Sequence, residues 1–159
     1  MVSRREWLGL CLLVLICLLA GIIGGAVTIP KIATWYAGLA KPSWNPPNWI
    51  FGPVWAALYL CMAISAWLVW RPGVSSTPKE PLVVFGVQLA LNVLWSCLFF
   101  GLQSPLLAFF ELVLLWLAIV ATTAMFWRRS IAAGVLLLPY LIWVTFAGVL
   151  NFAVWRLNI

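Results

Sequence analysis

The sequence predicts an all-α protein, an integral membrane bundle of five transmembrane helices, and three observations carry that reading. Of 159 residues, 66% are hydrophobic and 8% charged, against roughly 25% charged in a soluble domain. The chain therefore lacks the polar atoms to cover a surface in water. Five apolar stretches of about 20 residues, at ~1.5 Å rise per residue, each match a hydrocarbon core of roughly 30 Å. The basic residues, finally, are unevenly shared between the two ends of those stretches.

The first span is predicted at 7–28, after Arg4 and Arg5; its apolar run is too long for the core of a secretory signal, and four more spans follow. The second, 50–70, comes after Pro46 and Pro47, has Pro53 in its opening turns, and is stopped by Arg71, Pro72 and Gly73. A polar connection from Ser75 to Glu80 leads to the third, 81–102, where Pro81 suits a first turn that does not need its N–H. Ser104 is the expected N-cap of the fourth, 105–127. Arg128, Arg129 and Ser130 make a tight turn into the fifth, 131–155, where Pro139 predicts a kink. Short connections make the joined helices antiparallel neighbours. The whole chain reads as one membrane domain.

Arg4, Arg5, Arg71, Lys79, Arg128 and Arg129 fall on one side, and Lys31, Lys41 and Arg156 on the other. Six against three predicts a cytoplasmic N-terminus in a bacterial cell membrane. The long connection 29–49 then faces outward, and a loop of that length in a compact domain is where a lid or binding element is expected. Within it, Thr34 to Leu39 suits a short helix and the following prolines a stiff tail.

Composition excludes several chemistries. Histidine is absent, which removes the commonest transition-metal ligand and the usual general base near neutral pH. Cys11, Cys17, Cys61 and Cys97 lie in apolar runs without a CxxC pair, so they read as small packing residues rather than a metal site or disulfide framework. The net charge of +6 comes from scattered basic residues, no footprint for nucleic acid.

Twelve tryptophans remain to be explained. Trp7, Trp49, Trp70, Trp127 and Trp155 sit at span ends, where an amphipathic indole suits the headgroup level. Trp55, Trp95, Trp116 and Trp143 lie deeper, and either helix packing or a flat aromatic ligand accounts for them; Trp67 and Trp116 are assigned to packing or lipid contact. At helical spacing Gln88, Asn92, Trp95 and Phe99 share a face of the third span. Two amides at membrane depth either join helices by hydrogen bonds or line a polar spot in a pocket. Trp55, Tyr59 and Met62 share a face of the second span, and Tyr140, Trp143, Ala147 and Leu150 or Asn151 one of the fifth. Glu111, an acid inside a span, is a functional-site candidate by default; the structural alternative, favoured here, pairs it with Lys31, Lys41 or Arg156. Gly21-xxx-Gly25 and Gly86-xxx-Ala90 are small-xxx-small patterns that permit close helix contact.

Three motifs in order, Trp35-Tyr36 through Lys41-Pro42-Ser43-Trp44-Asn45-Pro46-Pro47, then Gln88 to Asn92 with Trp95 and Phe99-Phe100-Gly101, and Pro139-Tyr140 with Trp143, Ala147, Leu150-Asn151 and Trp155-Arg156, give the chain a resemblance to the translocator protein / tryptophan-rich sensory protein (TspO/MBR) family over essentially its whole length. The resemblance implies a homodimeric five-helix protein with a pocket beneath the first loop that takes porphyrins, haem and, in animal members, cholesterol-like ligands. Tyr36, Trp55, Gln88, Asn92, Trp95, Trp143, Ala147 and Leu150 would line it. Trp35 and Trp44 would belong to its lid, and Tyr59 joins the ligand-binding set from its shared face with Trp55. Light- and oxygen-dependent breakdown of protoporphyrin in some bacterial members makes Tyr36 and Trp143 the candidate catalytic residues, and transport of porphyrin or sterol-like lipids is a further alternative. The family's sterol pattern wants an aromatic hydroxyl at position 152, which is Phe; a tetrapyrrole is therefore the expected ligand, with Lys31, Lys41 or Asn45 near its propionates. No cofactor is required by this reading, and without histidine the ring is held by stacking rather than by iron ligation.

Overall fold

A computed structural model describes residues 3–71 and 79–159, and it contains five helices long and apolar enough to cross a membrane. These are α1 (Arg4–Lys31), continued by a π-helical segment Ile32–Tyr36; α2 (Asn48–Trp70); α3 (Lys79–Ser96), continued by a second π segment Cys97–Gly101; α4 (Pro105–Trp127); and α5 (Ile131–Leu157). Pro72, Gly73 and the stretch 75–78 of the expected polar connection lie outside the described residues, and Lys79 and Glu80 already belong to α3.

The caps fall where serine side chains can receive orphan N–H groups. Ser3 and Glu6 close a reciprocal capping box on α1; Ser104 accepts from Leu107 N ahead of Pro105, and Ser130 from Ala133 N. The first span is the exception to the expected boundaries. It runs to Tyr36 and two residues beyond, and the connection expected at 29–49 shrinks to 39–47. The helix passes through Pro30, which cannot donate a backbone N–H, widens into the π form over the next turn, and Thr34 Oγ1 donates to the Pro30 carbonyl at 3.1 Å. At the same end of the bundle, α3 widens likewise: Leu102 N donates to Cys97 O at 2.8 Å, and Gln103 takes a left-handed φ of 53° to turn the chain into α4. In α5 the helix continues unbroken through Pro139.

In cross-section the helices form a ring in the order α1, α2, α5, α4, α3, with α3 returning to α1. Consecutive helices with short connections are neighbours; α2 and α3 scarcely touch. The core away from the 39–47 loop is dense. Met62, Ala63, Ala66, Val69, Phe126, Ala133 and Leu137 are fully buried, Phe85 stacks on Phe126 at 5.8 Å, and Ser65 Oγ donates to the Ala133 carbonyl at 2.7 Å. Gly9 lies against the Trp70 ring and Gly134 against Trp127. Trp67 Nε1 donates to the Glu6 carbonyl at 2.9 Å, joining α2 to α1.

Candidate functional site

The loop-side half of the ring is not filled by its own side chains. It encloses a cavity of about 760 Å³, within the roughly 300–1,000 Å³ of small-molecule sites. Of the residues singled out in the sequence, Tyr36, Trp55, Tyr59, Asn92, Trp95, Trp143, Ala147 and Leu150 line it. Trp55 lies tilted on Tyr59 at 5.6 Å, Trp95 stacks on Phe99 at 5.1 Å, and Trp143 meets the edge of Phe51 at 5.8 Å. The two π segments interlock above: Trp35 packs edge-on to Phe99 at 5.5 Å and Tyr36 lies 5.7 Å from Phe100. A π turn carries more residues per turn than an α turn, which allows adjacent residues such as Phe99 and Phe100 both to reach the interior.

The polar groups of the walls are largely engaged with one another. Tyr59 OH donates to Asn92 Oδ1 at 2.6 Å, and Asn92 Nδ2 donates to the fully buried Tyr140 OH at 3.0 Å, tying α2, α3 and α5 together. Trp95 Nε1 donates to Asn151 Oδ1 at 3.0 Å, and Asn151 Nδ2 to the Pro105 carbonyl at 2.7 Å. Trp143 Nε1, by contrast, is buried without a hydrogen-bond partner among the described residues, although the Trp143 ring lines the cavity.

Three residues expected in or over the pocket, Gln88, Trp35 and Trp44, do not themselves line the cavity. Gln88 sits a turn beyond Asn92 on the dense side, with its Nε2 3.8 Å from Met62 Sδ. Trp35 is spent on the phenylalanines of the roof. Trp44 lies 5.9 Å from Phe146 over a shallow outer groove of α5. Two of the donors expected for ligand carboxylates, Lys41 and Asn45, are committed too. Lys41 Nζ donates to the Tyr36 and Leu39 carbonyls at 2.6 and 2.9 Å and sits 4.7 Å from the Tyr36 ring centroid, while Asn45 Nδ2 donates to the Pro46 carbonyl at 3.0 Å and its Oδ1 accepts from Tyr36 OH at 2.9 Å. At the rim, Thr28 and Asn48 are the polar side chains instead. The pairing expected of Glu111 is not formed: both its oxygens are buried in the interior face of α4 without a partner among the described residues.

Several lining residues were not singled out for the site: Phe51, Phe99, Phe100, Asn151, and the α1 residues Gly21, Gly24 and Gly25. Phe99 and Asn151 had a signal, since each shares a helical face with a residue chosen for the site. Trp49, assigned above to the interface alone, is 74% exposed and also borders the cavity.

A bundle of five apolar helices around an aromatic-walled cavity defines a small polytopic membrane protein with an internal cavity. The TspO/MBR family pattern matches residues 13–156, and the chain belongs to that family. It is 45% identical to the tryptophan-rich protein TspO of Chlorobaculum tepidum, over 98% of this chain and 99% of that protein. Identity is 44% with the human translocator protein, over 78% and 75% of the two chains, and 41% with the tryptophan-rich sensory protein of Cereibacter sphaeroides, over 78% and 77%.

Proposed function

We propose that the chain binds a tetrapyrrole of the protoporphyrin or haem type in this cavity and serves in tetrapyrrole sensing, trafficking or regulation. The observation that carries the reading is the wall: flat faces from Trp55, Trp95, Phe99 and Trp143 surround a cavity large enough for an organic ring system. A porphyrin offers a large apolar plane for such faces and two carboxylates, which suit a rim carrying Thr28 and Asn48 near the membrane surface. With no histidine in the chain, the fit is to the ring rather than to its iron. The names of the relatives, one sensory and one a translocator, agree with a role in perceiving or moving a ligand. The test is quenching of tryptophan fluorescence by protoporphyrin in nanodiscs. Trp143→Phe combined with Asn92→Ala weakens binding about tenfold, equivalent to ~1.4 kcal/mol; unchanged affinity in a folded variant refutes the pocket.

A second reading is light- and oxygen-dependent porphyrin breakdown, favoured by Trp143 and Tyr36, two oxidisable aromatic residues, lining one cavity. If Tyr36→Phe and Trp143→Phe still bind porphyrin and bleach it at the parental rate, neither side chain relays an electron or proton. Orientation belongs to the same proposal: the end bearing Arg4, Arg5, Arg71, Arg128 and Arg129 faces the cytoplasm. Protease added to inside-out vesicles then spares the 39–47 loop. The homodimer is tested by cross-linking in native membranes.

A further inference from the structure

We infer that the cavity is loaded sideways from the bilayer, through a slot between α1 and α2 that opens toward the loop, and that its ligands are amphiphiles already dissolved in the membrane. This deepens the proposed function and rests on it for the identity of the ligand.

The slot is written in the glycines. At Gly9 the Trp70 ring leaves no room for a methyl group, and at Gly21 a Cβ would lie 2.6 Å from the Tyr59 ring, so α1 and α2 are in contact there. One turn further on they have parted. A Cβ at Gly25 meets only Ile29 of its own helix, at 3.9 Å, and a Cβ at Gly52 meets nothing within 4 Å among the described residues. Over the same stretch α1 holds to α3: a Cβ at Gly24 would come 3.1 Å from Ser96 Oγ, and one at Gly101 3.3 Å from Val27. The first helix thus leans on the third and leaves the second. By helical rise, Gly52 lies about 6 Å and Tyr59 about 16 Å from the start of α2, so the slot reaches from the headgroup level to about the middle of the hydrocarbon layer.

Its edges belong to the cavity and to the lipid at once. Ile22, Ile29 and Trp49 line the cavity while 65%, 69% and 74% exposed, which a sealed pocket would not show. The path from water through the loop is fastened by contrast. Tyr36 bonds Asn45, Lys41 bonds three carbonyls, and the Asn158 side chain bonds both the N–H and the carbonyl of Ala40, at 3.0 and 2.9 Å. Passage through the slot breaks none of these bonds. Thr28 and Asn48 at the rim let a polar edge stay at headgroup level while an apolar body slides inward.

The test is a Gly25→Leu/Gly52→Phe double variant in nanodiscs, both side chains pointing into the space just described. Protoporphyrin delivered from preloaded vesicles is expected to associate and dissociate about tenfold more slowly, whereas damage to the cavity wall alone would speed dissociation, and Asn45→Ala keeps the parental rates. Parental rates in a folded double variant, or faster association in Asn45→Ala, overturn the slot in favour of the loop. A second readout needs no porphyrin: a phospholipid with a diazirine in its acyl chain is expected to label Tyr59 and Trp95 from within, and the double variant to lose that label. Label confined to outward residues such as Ile23 overturns the inference. Interior labelling without porphyrin binding refutes the tetrapyrrole reading and leaves the slot standing.

Discussion

The two halves of this bundle, one on either side of Asn92, use the same residue types to opposite ends. In the half away from the 39–47 loop, indoles close gaps: Trp70 covers Gly9, Trp127 covers Gly134, and Trp67 ties α2 to the backbone of α1. In the loop-side half, Trp55, Trp95 and Trp143 stand around a space that no side chain enters. In a bilayer, burying an apolar group gains little over leaving it in lipid, so stability comes from packing and interhelical hydrogen bonds. A protein of this kind can leave half of its interior open only if the other half, and the bonds at the boundary, hold the helices in place.

The largest expected effect tests the dense half. Phe126→Ala removes a fully buried ring stacked on Phe85; the cavity left behind costs about 3 kcal/mol, at the low end for such truncations because lipid replaces water as the reference. Phe51→Ala, the same change on the cavity wall, costs roughly 1 kcal/mol or less, since it enlarges a space that already exists. Unfolding in mixed detergent micelles compares the two, and equal losses would erase the distinction between the halves.

Next in size comes the boundary. Asn92→Leu abolishes both the Tyr59 and Tyr140 bonds and leaves two phenols without that partner. A loss of about 1–2 kcal/mol is expected, since single interhelical bonds average ~0.6 kcal/mol in membranes but here two fail together. Asn92→Asp, which keeps an acceptor for Tyr59, recovers part of it if the bonds rather than the volume matter.

Much of this was legible in the chain, and the exceptions share a cause. The fourth span was placed at its observed limits and the second, third and fifth within a few residues; for the fourth and fifth, Ser104, Pro105 and Ser130 mark the start through local capping. The first span was cut short at 28, since nothing local announces that the helix continues through Pro30 into a π segment. Eight of the eleven candidate ligand-binding residues lie on the cavity; seven of them share the helical faces picked out by spacing, and Tyr36 came from the family resemblance alone. Gln88 shows the limit, because the face it shares with Asn92 runs past the cavity floor into the packed half, and depth along a helix is set by tilt and crossing, which spacing does not encode. Gly21 and Gly25 show the same limit from the other side. Four apart, they share a face, yet one touches Tyr59 and the other faces open space.

The smallest effect concerns the loop itself. Asn158, just past the end of α5, pairs its side-chain amide with both the N–H and the carbonyl of Ala40 and also donates to the Val154 carbonyl at 2.7 Å. The first two bonds are exposed, so water replaces them readily, and each contributes only about 0.5 kcal/mol. Asn158→Ala is therefore expected to leave bundle unfolding unchanged within error while speeding amide exchange at Ala40 and proteolysis within 39–47, because local opening draws on the bonds of the loop and not on the packing below it. The dense half then sets global stability and the loop only its own. Should Asn158→Ala weaken the whole bundle as much as Asn92→Leu, the loop would have to be counted as part of the scaffold, and the open half would be held from above as well as from below.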